Sequence, residues 1–138
     1  MRNNRGASLA ELMIALGVLA VGILGVFQVF ADGVRGEAQA DRVTSAIMYD
    51  RQLITLIRTR NLAFGGIASD ASTDRRALNE APFANDLPAD SGFTRNIQLQ
   101  QFEPSGYPSS LRRIIVTVYW SDRGTERKVE LQTVQRQI

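Results

Sequence analysis

Glu11 sets a carboxylate at the edge of an apolar run, Leu12–Ala31, in which Gln28 is the one polar side chain. A charge held at bilayer depth costs about 2.5–3.5 kcal/mol, so an acid in this position is a functional candidate and requires a partner. Two other groupings bring reactive types together. Asp70, Asp74, Asp86 and Asp90 crowd one segment, as calcium ligands do, but their spacing matches no EF-hand loop and lacks its closing glutamate. Solvated loop charge is the simpler reading. Arg75-Arg76 and Arg112-Arg113, with Tyr107 and Tyr119 nearby, place cations beside rings in the manner of a DNA-gripping surface. The charge balance argues against a dedicated nucleic-acid groove: the formal net charge is +2, and Arg2 and Arg5 of the leader account for it. With neither histidine nor cysteine, the usual general base, the thiol nucleophile, the common zinc sites and any disulfide are all missing. The expectation is a non-enzymatic chain with no catalytic residue, metal or cofactor.

The elements that position Glu11 follow from hydropathy and period. About twenty helical residues match the roughly 30 Å hydrocarbon core of a bilayer, which makes Leu12–Ala31 a membrane span by length. Arg2 and Arg5 precede it, whereas Asp32, Arg35, Glu37, Asp41 and Arg42 after it nearly balance. The positive-inside rule therefore predicts a cytoplasmic N-terminus and an external remainder. Beyond the span the pattern turns amphipathic, with Val43, Ile47, Ile54 and Ile57 as the apolar stripe and Asp41, Arg42, Asp50, Arg51 and Arg58 as polar faces. One helix from about Ser8 to Arg60, on the order of 80 Å long, is the simplest reading, with Gly65-Gly66 marking its stop. Gly17, Gly22 and Gly25 weaken it by about 0.8–1.0 kcal/mol each relative to alanine. They are candidate flexible points, or small residues that let membrane helices approach closely.

Residues 61–94 read as a variable surface connection with a helical turn around Asp74–Glu80, and their length exceeds the usual loop. From residue 95 to 138 the period changes to two. Ile97 and Leu99 alternate with polar neighbours, and Ile114–Trp120 and Glu126–Val134 flank a glycine-containing turn at Ser121–Thr125. Trp120 at the hairpin end is expected to pack rather than to bind. The sheet needs a cover on its apolar face, and the helix stripe is the candidate. The fold class expected is α+β: a long N-terminal membrane-spanning helix packed by its C-terminal half on a small antiparallel sheet. Its divisions are a leader at 1–6, an apolar helix at 7–31, an amphipathic continuation at 32–60, the connection and the sheet.

Ser8-Leu9-Ala10-Glu11 has the S-x-x-E form of a helix capping box. Preceded by a basic leader ending in Gly6 and followed by the apolar run, the junction also resembles the class III signal of type IV pilins, in which a peptidase cuts after glycine and the fifth residue beyond is glutamate. The continuation Leu12–Gly25 is most similar to PilV-type minor pilins. The family usually has phenylalanine where this chain has Ala7, and often a helix-loosening proline that is absent here.

That resemblance implies cleavage between Gly6 and Ala7 by a prepilin peptidase, N-methylation of Ala7, and a role for Glu11 in subunit assembly, where it attracts the amine of a neighbour. It implies a minor structural subunit of a type IV pilus in a priming or tip complex, serving adhesion or motility. The implied partners are the major pilin, other minor pilins, the inner membrane, and an assembly platform with its ATPase. The implied location is the inner membrane with a periplasmic head, then the cell surface. A minor pseudopilin of a type II secretion system is the alternative within the class. From a different class, Val29-Phe30-Ala31 satisfies the small-residue rule of ordinary signal peptidase, which would release a secreted soluble binding protein starting at Asp32.

Overall fold

Leucine and alanine, both strong helix formers, dominate Leu9–Leu16, and a capped first turn lets them propagate as a helix. In the computed structural model, which describes residues 8–89, 91–102 and 110–137, α1 runs over Leu9–Thr59. Its end is set by Asn61, whose φ of 52° puts it in the left-handed region that stops helices. A single 3₁₀ turn, Leu62–Phe64, follows. Gly66 is required by close approach, because a Cβ there would fall 2.5 Å from Leu62 Cδ2 and 2.8 Å from Leu62 Cα.

The chain divides into two compact units, Met1–Ala40 and Asp41–Ile138. The described residues of the first unit from Leu9 on are helix, apolar from Leu12 to Ala31 apart from Gln28. The helix is long and apolar enough to cross a membrane, and every residue from Leu9 to Phe30 is exposed.

The second unit is α+β, as the sequence predicts. Its sheet has the order β1-β2-β3-β4, all antiparallel, with β1 at Arg76–Ala77, β2 at Phe93–Gln101, β3 at Leu111–Asp122 and β4 at Thr125–Arg136. Between β3 and β4 the register is Asp122↔Thr125, so the turn is only Arg123-Gly124, with φ of 52° and 78°. Two positive φ values in a two-residue loop suit the right-handed twist of the strands it joins. The sequence reading of a five-residue turn was too long, since Ser121, Asp122 and Thr125 all pair. An arginine at the first turn position hides the signal that Asn-Gly would have given.

One face of the sheet is formed by Ile97 on β2, Ile114, Val116, Val118 and Trp120 on β3, and Val129 on β4, and it joins Ala46, Leu53 and Ile57 of α1 in one core. The stripe is rotated from the expected one. Ala46, Asp50, Leu53 and Ile57 are the buried line of α1, whereas Val43, Ile47 and Ile54 flank it half-buried. Asp50, assigned by its polarity to the solvent side, therefore lies at the centre of the packed face.

The connection is not a surface loop. Ala63, Leu78, Phe83 and Leu87 from it are buried in the same core, and the place of the expected helical turn is taken by β1, which pairs Arg76 with Arg95 and Ala77 with Thr94. Spaced without a helix or strand period, these apolar residues gave no periodic signal. Farther along, Asp70 N–H donates to Ile97 O at 2.8 Å, and Leu99 N–H donates to Ser69 Oγ at 3.0 Å. Residues 69–77 thereby cover the β2 edge, and β4 forms the opposite edge of the sheet.

Candidate functional site

At the start of α1 the expected capping box is formed. Glu11 N–H donates to Ser8 Oγ at 3.3 Å, and Ser8 N–H donates to a Glu11 carboxylate oxygen at 3.2 Å. Both interactions are solvent-exposed. They satisfy backbone N–H groups that have no acceptor within the helix, and the acid also complements the positive end of the helix dipole. Glu11 is thus held by its own turn, with one carboxylate oxygen engaged. Gly6 and Ala7, the residues of the expected cut and methylation, lie outside the described residues.

The wall beside this carboxylate is apolar and unpaired. Leu12, Met13, Ile14, Leu16, Val18 and Leu19 are each more than half exposed, an arrangement costly in water at about 25 cal/mol per Å² of apolar surface left uncovered. At Gly17, Gly22 and Gly25 an added Cβ would meet nothing within 4 Å. No contact among the described residues explains these glycines. Small residues on a helix let a second helix come near.

Residues 1–27 match the family model for the prokaryotic N-terminal methylation motif. The match ends within the apolar helix and includes Gly6, Ala7, Ser8 and Glu11. No curated protein and no solved structure matches the chain. The N-terminal segment is therefore similar in sequence to the prokaryotic methylation motif, and the capped apolar helix begins within the matched residues.

The other groupings singled out by residue type are used by the head itself. The Asp70 side chain is 4% exposed; its Oδ2 accepts from Ile97 N–H at 2.8 Å, and its Oδ1 is in ion-pair contact with Arg76 Nε at 2.6 Å. Asp74 accepts from Ala71 N–H at 3.0 Å. Asp86 takes both Nη groups of Arg60, at 2.8 and 2.7 Å. Asp90 lies outside the described residues, and among those described no cluster of three or more acidic, histidine or cysteine residues is placed to hold a metal ion.

The arginine pairs are equally committed. Arg75 lies 3.6 Å over the Tyr119 ring and bonds both carboxylate oxygens of Glu126; that bond raises the Arg75 pKa and lowers that of Glu126. Arg76 spans Asp70 and Glu80. Arg112 donates to Ala63 O and stacks near Phe64, while Arg113 lies 4.7 Å over Phe102. Tyr107 is outside the described residues. A guanidinium that bonds in its plane and stacks on its face suits such stapling better than an ammonium, which gives a structural use for a basic complement in which Lys128 is the single lysine.

Sequence reasoning passed over two buried charges. Arg95 is 3% exposed; it donates to the Leu78 and Glu80 carbonyls and lies 4.9 Å over Phe83. Burial lowers its pKa, with Asp70 and Glu80 opposing. It pins the connection to β2. Asp50 is fully buried, and neither of its carboxylate oxygens has a hydrogen-bond partner.

Proposed function

We propose that this chain is a structural subunit of a type IV pilus or a related filament, of the minor-pilin kind, and that it acts by assembly and not by catalysis. The observation that carries the reading is an apolar helix, exposed from Leu9 to Phe30, opening directly out of a methylation motif. Surface of that extent requires an apolar surrounding supplied from outside the chain. A bilayer supplies it before assembly, and the helices of other subunits supply it afterwards.

In this mechanism a prepilin peptidase cuts between Gly6 and Ala7. The freed amine on Ala7 is methylated and keeps its positive charge. Glu11 then exchanges its bond with Ser8 N–H for the amine of a neighbouring subunit, at low dielectric, where leaving either charge alone is costly. That demand for pairing sets the axial register between subunits. Gly17, Gly22 and Gly25 let the helices approach or bend. The inner membrane holds the precursor with its head in the periplasm; the major pilin, companion minor pilins, and a platform with its ATPase complete the machine.

The test is the intact mass of the protein recovered from sheared surface filaments. A chain beginning at Ala7, heavier by one CH2 because a methyl replaces a hydrogen, is the expected result. Retention of Met1 overturns the reading, and a chain beginning at Asp32 replaces it with that of a secreted protein. A type II secretion pseudopilus is distinguished by which apparatus is retained on crosslinking in the membrane.

A further inference from the structure

Asp50 has no part in the assembly reading, and its surroundings are unusual for an acid. It occupies the buried line of α1 between Ala46 and Leu53, with no exposed surface and no hydrogen bond to either carboxylate oxygen. Among the described residues the charges around it offer no counter-ion. On β4, Val129 and Leu131 share the side packed on α1, and Arg127 on that side is exposed. Glu130, exposed on the other side of the strand and bonded by Gln132, acts on Asp50 only as a like charge at a distance, and the nearby Leu131 backbone N–H favours the ionised form while lying outside hydrogen-bond geometry. On β2, Arg95 is turned to Asp70 and the carbonyls of the connection. On β3, Arg112 is turned to Ala63 O. From the connection, Asp70 and Glu80 are paired with Arg76. On α1 itself, Arg42 is given to Ser121 O, and Tyr49 packs edge-on to Phe93; Arg51 and Arg58 are exposed.

An unpaired carboxylate in such a place is far more costly than a neutral acid, which leaves only ordinary hydrogen-bonding groups unmet. The site is compatible with –COOH and hostile to –COO⁻. We propose that Asp50 is a proton-binding site at the junction of α1 and the sheet, which closes with the proton bound and loosens when the proton leaves.

Burial first, and the Glu130 charge second, push the Asp50 carboxyl up from 3.8 to about 8, against the opposing Leu131 amide. Below the unfolded value both states hold the proton and the residue has no pH effect. Between the two values the folded head holds a proton that the unfolded chain has released, so raising the pH favours unfolding by up to about tenfold per pH unit. Above the folded value both are ionised and the penalty is constant.

The experiment uses the full chain in detergent micelles. Carbon NMR of the side-chain carboxyl, assigned through bonds from the Asp50 backbone, is expected to titrate near pH 8; a midpoint below 5 overturns the proposal, and the measurement needs no variant. In denaturant titrations, the unfolding constant of the native chain is expected to rise relative to Asp50→Asn by about three orders of magnitude from pH 5 to pH 8. An unchanged ratio overturns it. Emission from Trp120, the chain's single tryptophan, buried beside Phe93, is expected to move to the red through the same pH range in the native chain and to stay fixed in Asp50→Asn; constant emission to pH 9 in the native chain overturns the loosening. None of these readings depends on processing or on filament assembly.

Discussion

From Leu9 to Phe30 no side chain is buried, whereas Ala46, Leu53 and Ile57 farther along α1 have no exposed surface at all. The chemistry of the two stretches is similar, apolar and helical; what differs is where the covering surface comes from. After Asp41 it comes from strands and connection encoded in the same chain. Before Ala31 the described residues provide none. A polypeptide that completes one hydrophobic contact and leaves another open has divided its stability between folding and association, and each part can be altered without the other.

Glu11→Ala is the largest expected disruption on the association side. Leaving a partner's amine unpaired in an apolar core costs about 3–5 kcal/mol, so incorporation into sheared filaments is expected to be almost lost while the membrane-bound amount stays constant. Equal incorporation of mutant and wild type would remove the proposed role. On the folding side, Ile57→Ala opens a cavity in the head and is expected to cost about 2–5 kcal/mol, read as a lower urea midpoint at unchanged membrane partition.

Leu19→Arg reverses that pattern: about 2.5–3.5 kcal/mol against membrane insertion, seen by fractionation, with the urea midpoint of the head unmoved. A head destabilised by Leu19→Arg would break the division. Smallest is Arg60→Ala. It removes the two-point contact with Asp86 at the surface, a kind of pair worth about 0.2–1 kcal/mol, and a loss above 2 kcal/mol would show that the contact carries more of the connection than its exposure suggests.

The two regions were also unequally legible. Hydropathy gave the apolar helix, and S-x-x-E gave the capping box that Ser8 and Glu11 form. Period two gave the strands and their hairpin. The stripe on α1 was misplaced because its true centre holds Ala46 and Asp50, a small residue and an acid, while the flanking Val43, Ile47 and Ile54 have the stronger hydrophobic signature. Phe83 and Leu87 were missed since their burial comes from a path without helical or strand period, and Arg95 because an arginine in a strand ordinarily marks the solvent side. Each of these misses is a position where tertiary contact overrides the local pattern.

The free margin of the sheet has a further meaning. Along β4, Glu126, Lys128 and Glu130 alternate with Arg127, Val129 and Leu131, and the first three are exposed. Twelve residues of extended backbone with no strand partner on one side among the described residues are a template for runaway stacking, and staggered opposite charges are among the devices that discourage it. A molecule whose copies are crowded head beside head would sit permanently near that hazard. Neutralising Lys128 and Glu130 together is expected to make the protein self-associate through this edge, read as concentration-dependent light scattering that the native chain does not show.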